Sequence, residues 1–272
     1  MRMIWLQRDI IGRAPVETMA VYRWALMERR QVQWFEPSQL LTGKLALSPL
    51  NPVIGSVECV SEALRQLGAV VPEPDYYPDC LRKHLRRAVQ RTTVDQARRR
   101  LQEGQALFVK SHAWKRFTGQ VLGHADIGPL DSLSDTDEVW ISEPVRFVSE
   151  YRAYILHGQV RGVCQYGEAE DLVLSDRTSM LIAEAAADLM ESMPRAAHIV
   201  DWGLLADGRL ALVEVGDAWA VGLYPGISAG DYAVCLIARW QEMVSQRSAN
   251  NELTAVLRGR HPVSSLTIQE LP

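Results

Sequence analysis

The amino-acid sequence predicts an α+β protein, and three observations carry that prediction. Two stretches of strand-like residues fold back on themselves around His157-Gly158 and Asp207-Gly208, a strong signal for a short hairpin turn. An alanine-rich helix, Arg177–Met193, separates the hairpins, with Ser175 or Asp176 as its N-cap. Only the first part of the chain alternates single strands with helices, as a small α/β unit would, and the mixture of antiparallel hairpins and helices that follows points to α+β rather than a doubly wound sheet.

The elements follow in order. Met3–Leu6 reads as a short strand, Val16–Arg30 as a helix ending in charge, and Gln31–Phe35 as a second strand. Pro37–Gly55 holds three prolines and little periodicity, which predicts a loop-rich stretch. In Ser56–Leu67 the apolar residues Val57, Val60, Ala63, Leu64 and Leu67 fall at helical spacing, stopped by Gly68. Pro72–Pro78 reads as a connector. Leu81–Leu101 carries Arg82, Lys83, Arg86, Arg87, Arg91, Arg98, Arg99 and Arg100 against Asp95 alone. Its plain reading is the solvated face of one or two helices; the alternative is a phosphate- or nucleic-acid-facing patch. Ala106–Lys110 is a strand, Ser111–Gly119 a polar loop and Val139–Ser142 another strand. After the hairpins comes a last helix, Tyr232–Val244, and a polar tail from Ser245. The expected units are residues 1–95, a small lobe 96–145, a second lobe 146–246 and a tail 247–272.

Composition narrows the class. The 272 residues are 47% hydrophobic and 23% charged, enough for a large core without disulfide or metal staples. Twenty-nine basic against 33 acidic residues leave a net charge of −4, which gives nonspecific nucleic-acid binding little support. Cys59, Cys80, Cys164 and Cys235 lie far apart with no CxxC pair, as expected of reduced thiols in a cytoplasmic protein. The apolar run at Met3–Leu6 is far too short for a signal peptide, and no stretch approaches a membrane span.

The hairpins allow registers to be worked out. With Asp207-Gly208 as the central turn residues, Ala206 faces Arg209, Leu205 faces Leu210, Gly203 faces Leu212 and Asp201 faces Glu214. Two carboxylates directly opposite on adjacent strands repel one another, so an otherwise apolar hairpin that carries them suggests a cation between them. Oxygen ligands of this kind suit Mg²⁺, which completes its shell with water and substrate phosphates. Asp217 stands close by as a further candidate ligand. In the first hairpin, Glu150, Arg152 and Tyr154 share a face with Gln165, Val163 and Arg161. Arg152 and Arg161 on one face would suit an anion; the alternative is a solvent-facing strand.

Lys110 closes the strand Leu107–Lys110, and Lys115 and Arg116 follow in the loop after it. That loop is not a Walker A sequence, and nothing in the chain fits GxGxxG, HExxH or GxSxG. The six histidines show no metal-ligand spacing.

Taken in order, a strand ending in lysine, a glycine-bearing loop, Ser-Glu-Pro-Val, Glu-x-Arg on a hairpin, an alanine-rich helix and Asp…Glu-Val on a closing hairpin resemble the ATP-grasp ligases. The segments FVKSHAWKRFTG, SEPVRFVSEYRAYILHGQV and VDWGLLADGRLALVEVGDAWAVGLYP are similar to a small bacterial and phage subgroup predicted to make amide bonds. The resemblance spans roughly Pro72–Val244. It implies an ATP-grasp fold in which two α+β lobes clasp ATP, with Lys110 and Lys115 on the nucleotide phosphates. It further implies that Glu143-Pro144-Val145 receives adenine, that Glu150 binds ribose or orients Arg152, and that Arg152 faces the transferring group. Asp201 and Glu214 look like the family's Mg²⁺ carboxylates. One departure stands out: the family usually reads Glu-x-Asn on the metal strand, and here the Asn position is Gly216.

The resemblance implies ADP-forming ligation of a carboxylate to an amine through an acyl phosphate, with Arg161 assisting Arg152 at the transferring group. The carboxylate and amine substrates would be amino acids, peptides or small metabolites. Two other readings stay open: a kinase on the same fold, and a nucleic-acid-associated module led by the basic segment 81–100. Residues 1–71 are expected to help shape the substrate pocket. Trp202 and Trp219 flank the metal strands, and they either line that pocket or pack the core.

Overall fold

The computed structural model describes residues 3–114, 116–124, 127–166 and 174–257. Three sheets organise it. The first is parallel, with β1 (Met3–Gln7) between β2 (Gln31–Phe35) and β3 (Val53–Ile54). Helix α1 (Val16–Met27) links β1 to β2, and α3 (Val57–Gln66) follows β3 with Ser56 as its N-cap. The stretch expected to be loop-rich also holds the short helix α2 (Pro37–Leu41). A reciprocal capping box between Glu36 and Gln39, with proline in the first turn, makes those five residues helical despite their lack of periodicity.

The second sheet is antiparallel, in the order β4 (Val89–Thr93), β7 (Glu138–Ser142), β5 (Leu107–Ser111) and β6 (Gln120–Leu122). Helix α4 (Val94–Gln102) covers it, burying Val94, Ala97 and Leu101 against Val109, Leu122 and Ile141. The basic segment therefore folds as a short 3₁₀ helix at Asp79–His84, a strand and a helix, rather than as one or two charged helices. Val89–Thr93 joins the small-lobe sheet, because its backbone pairs residue for residue with β7.

The third sheet, also antiparallel, runs β11 (Leu210–Asp217), β10 (Ala197–Leu204), β8 (Ser149–Leu156) and β9 (Gln159–Tyr166). Helix α5 (Asp176–Ser192), capped by Ser175, packs Ile182, Ala185, Ala186 and Leu189 on one face with Trp202. On the other face lies α6 (Ala229–Leu257), which contacts α1 and β1 through Tyr232, Ala233 and Leu236. Farther along, its Trp240, Met243 and Val244 enter the core of the N-terminal unit. The helix runs beyond Val244, where the sequence suggested a tail. Residues 232–257 contain neither glycine nor proline, and polar composition alone does not stop a helix. No helix among the described residues is long and apolar enough to cross a membrane.

Both hairpin registers carry a one-residue shift, with opposite consequences. At the first, His157 and Gly158 adopt positive φ (49° and 74°) and form the expected two-residue turn. A bulge then leaves Arg161 unpaired, so Tyr154 faces Gly162 and Arg152 faces Cys164. At the second, the turn has three residues, closed by Gly208 N–H donating to Leu205 C=O and Leu205 N–H donating to Arg209 C=O, with Gly208 at φ 79°. Leu204 accordingly faces Leu210 and Trp202 faces Leu212, one step from the expected pairs. A bulge at Val213 restores the step, and Asp201 faces Glu214 as the sequence predicts.

His198 is fully buried beside these strands, its Nε2 3.0 Å from the Met193 carbonyl oxygen. Burial and the neighbouring Arg195 push its pKa down from 6.5 to about 4, so the fold holds the neutral ring. That contribution is complete above pH 6.5 and is lost as pH falls towards 4, about 3 kcal/mol in all. His198→Gln keeps a donor for Met193 but cannot titrate. In urea unfolding, the stability gap between the two proteins should therefore shift in the variant's favour by about 3 kcal/mol over that range. A gap independent of pH would contradict this account.

Candidate active site

Four charged side chains meet where the second and third sheets face each other. Arg152, Asp201 and Glu214 are direct cross-strand neighbours on β8, β10 and β11. Arg152 holds Asp201 in a bidentate pair, Nε to Oδ1 at 2.8 Å and Nη2 to Oδ2 at 2.7 Å. Lys110, from β5 of the small lobe, donates to Glu214 and lies 4.2 Å from the centre of the Tyr76 ring. Each acid of the repelling pair thus has its own cation, and one of those cations crosses between lobes. Burial disfavours the charged guanidinium, but the bonds to Asp201 outweigh it and hold Arg152 ionised, its pKa above the ordinary value.

Aromatic groups fix Arg152 further. Tyr166 and Tyr224 stack on each other with centroids 5.0 Å apart, and the guanidinium lies 4.9 Å from the Tyr224 ring and 5.8 Å from Tyr166. Burial, Asp201 and Glu150 push the Tyr166 phenol up, so it stays protonated and donates to Glu150 at 3.0 Å. Nη1 of Arg152 donates to no acceptor among the described residues, which leaves one edge of the fork for a ligand.

Two cavities share the wall formed by Lys110, Asp201, Glu214, Thr118 and Gly119. One, of about 390 Å³, runs between the sheets and is lined by Phe108, Val145, Phe147, Glu150 and Arg87. Gly203 makes room for the Phe147 ring that lines it: a Cβ there would come within 2.2 Å of that ring. The other, of about 590 Å³, opens beside Arg152, Gly216, Gly222 and Tyr224.

The structure brings together Lys110, Glu150, Val145, Arg152, Asp201 and Glu214. Glu143 is exposed, and its carboxylate accepts from the Ala88 N–H at 3.0 Å, while Ser142 and Val145 on either side line the first cavity. Lys115 lies outside the described residues. Arg161 does not join Arg152. The bulge turns it to Asp231 at the start of α6, 3.0 Å away, and it lines neither cavity. Asp217 borders the second cavity, but both its oxygens are held by the buried Arg239, at 2.6 and 2.7 Å, and Arg195 adds a contact at 3.3 Å. It stands three residues from Glu214, and an odd spacing along a strand reverses the face. Among the described residues no three acidic, histidine or cysteine side chains converge as a metal cage. Asp201 and Glu214 still fit Mg²⁺, which needs only one or two carboxylates when substrate phosphates supply the rest.

Arg87 belongs to the site and was indistinguishable in sequence from its basic neighbours. It donates to the carbonyls of Leu212 and Val213, at 2.6 and 3.1 Å, and so clamps the β11 bulge while facing the first cavity. The rest of the basic run is largely paired: Arg82 with Asp79, Lys83 with Asp188, Arg91 with Glu138, Arg98 with Asp135 and Arg99 with Asp95. Trp202 is core. Trp219 is buried too, edge-on to Trp114 with centroids 5.7 Å apart.

Comparison with known proteins bears on the fold and the family. Among solved structures, similar folds include the ATP-grasp ligase PsnB complexed with a minimal precursor, with TM-score 0.52 and 13% identity over 88% of this chain and 99% of that one. The macrocyclase MdnC bound with precursor peptide MdnA from Microcystis aeruginosa MRC matches with TM-score 0.51 and 12% identity over 87% and 99%. The D-cycloserine synthetase DcsG matches with TM-score 0.52 and 13% identity over 90% and 99%. At such identities the likeness is one of fold. No curated protein sequence matches the chain. The model of the ATP-grasp domain, R2K clade family 2, matches residues 84–235, a span that takes in both antiparallel sheets and every charged member of the cluster. The chain belongs to that ATP-grasp family.

Proposed function

We propose that the protein is an ATP-dependent, ADP-forming ligase that joins a carboxylate to an amine through an acyl phosphate. The observation that carries this reading is the row Arg152–Asp201–Glu214–Lys110 on the wall between two cavities. The family membership supports it, and the fold neighbours include a peptide macrocyclase and a D-cycloserine synthetase.

The first cavity suits the nucleotide. Phe108, Val145 and Phe147 offer apolar walls for a base, and Glu150 stands near for the ribose. Lys110 would turn from Glu214 to the phosphates. A Mg²⁺ ion held by Asp201 and Glu214 would supply neutralisation of phosphate charge. A substrate carboxylate oxygen in the second cavity attacks the γ-phosphorus as the bond to the ADP oxygen breaks, giving an acyl phosphate and ADP. An amine then attacks the acyl carbon and loses a proton, and phosphate leaves. The free Nη1 of Arg152 is placed to stabilise charge on the transferring group. Prior phosphorylation makes the acyl carbon electrophilic, so no side-chain nucleophile is needed.

ADP release screened against amino acids and peptides, with mass spectrometry of the products, tests the reading. An amide product with ADP and phosphate is expected; a stable phosphorylated product would assign a kinase instead. Glu214→Gln should lower Mg²⁺-dependent ADP formation by about 100-fold or more with the fold retained. Turnover near the parent's would remove the metal role. Lys110→Ala should weaken nucleotide binding about 10- to 100-fold, the range for losing one charge-assisted hydrogen bond. Gly216→Asn places an amide beside Glu214, with its Cβ 3.6 Å from Ile199 and therefore unhindered. It should lower the Mg²⁺ concentration for half-maximal turnover several-fold, and no change would show that the position is not a ligand site.

A further inference from the structure

The N-terminal unit contributes a cavity that the nucleotide reading does not use. In the order β2-β1-β3, the chain leaves β1 for one edge and returns to the other. The loops after β1 and β3 therefore part at the carboxyl ends of the strands, where open α/β sheets form ligand crevices. Here the crevice measures about 240 Å³ and is lined by Pro15, Glu17 and Thr18 after β1 and by Gly55, Ser56 and Val57 after β3. Gln7, the last residue of β1, ties the two sides by accepting from the Ser56 N–H at 2.6 Å. The remaining wall is Ala220, Val221 and Gly222, which also line the cavity beside Arg152.

The two spaces adjoin at Gly222. A Cβ at that position would lie 3.7 Å from Glu17 Oε1 and 3.9 Å from Arg152 Nη1, so a single methyl group would touch both. Tyr154 fixes the junction, donating its hydroxyl to the Gly222 carbonyl at 2.8 Å. Glu17 is the one charged side chain lining the crevice, is half-buried, and makes no ion pair among the described residues. The Thr18 hydroxyl is already committed to Pro15 C=O. A lone carboxylate is a poor site for a divalent cation, which needs several oxygens, but it suits an ammonium group.

We infer that Glu17 and the free edge of Arg152 together recognise a free α-amino acid, Glu17 taking its ammonium group and Arg152 its carboxylate. This rests on the ligase reading, because it makes that carboxylate the one to be phosphorylated. The opposed charges stand one small group apart, the separation of the two ends of an α-amino acid and not of a longer peptide. The crevice has room for a small side chain.

Saturation-transfer NMR on the full chain with Mg²⁺ and AMP-PNP, using the free α-amino acids and their N-acetyl derivatives as probes, tests the inference. At least one free amino acid should bind, and its N-acetyl derivative about 10-fold or more weaker. Glu17→Gln should weaken the free amino acid by a similar factor, leave the N-acetyl derivative unaffected, and be partly rescued by Glu17→Asp. Binding of AMP-PNP to each variant reports that it is folded. If no free amino acid binds, if acetylation makes no difference, or if Glu17→Gln binds like the parent, the inference is overturned. If AMP-PNP itself fails to bind the parent protein, the ligase reading falls and with it the assignment of the amino acid's carboxylate as the group phosphorylated, while Glu17-dependent binding would still show the recognition of the ammonium group.

Discussion

Two carboxylates placed opposite each other on neighbouring strands repel, and Asp201 and Glu214 are held in that position by the backbone pairing of β10 and β11. Much of the surrounding structure can be understood as the means by which this pair is tolerated. Arg152 answers Asp201 from the next strand, with both oxygens engaged, and Lys110 answers Glu214 from another sheet altogether. Removing either buried cation would leave a charge without compensation, at a cost of several kcal/mol. Tyrosines 76, 166 and 224 pack against the two cations and help hold them in place. The four-residue row is neutral without ligand, and a Mg²⁺ ion taking Lys110's place at Glu214 would free that lysine for the phosphates arriving with the metal.

The same row couples the lobes. Lys110 is the last charged residue of a small-lobe strand, and Arg87 reaches from the connector to the β11 bulge. On the far side, α6 carries one apolar face across both the C-terminal sheet and the N-terminal core, and Arg239 locks it to Asp217. With Arg195 and Glu242, that cluster has two charges of each sign, so Asp217 serves as an anchor for the helix that packs against both the C-terminal sheet and the N-terminal unit.

The architecture was largely legible in the sequence because turn dipeptides, helical spacing and an N-cap serine are local signals. The Asp201–Glu214 pairing emerged from a register that omitted two features, a three-residue turn and a bulge at Val213, whose shifts cancel. In the first hairpin nothing cancels the bulge, and Arg161, left without a cross-strand partner, pairs with Asp231 of α6 instead of joining Arg152. Bulges depend on sheet twist and cross-strand packing, which no dipeptide encodes. Asp217 is different: its odd separation from Glu214 already implied the opposite face. Arg87 could not be singled out among eight basic residues, since what distinguishes it is the carbonyl pair it meets 125 and 126 residues later. Glu17 carries no motif at all, and only the switch-point topology makes it notable.

We propose that Asp201 and Glu214 form the metal side of a nucleotide site, and that Lys110 and Arg152 neutralise the two carboxylates when no metal is bound. The most direct measurement is a crystal structure of the complex with AMP-PNP and Mn²⁺ in place of Mg²⁺, with anomalous scattering locating the metal. A peak bonded to both carboxylates is expected, with Lys110 released from Glu214 onto the phosphates. A bound nucleotide whose metal lies elsewhere, with the Lys110–Glu214 pair intact, would contradict it.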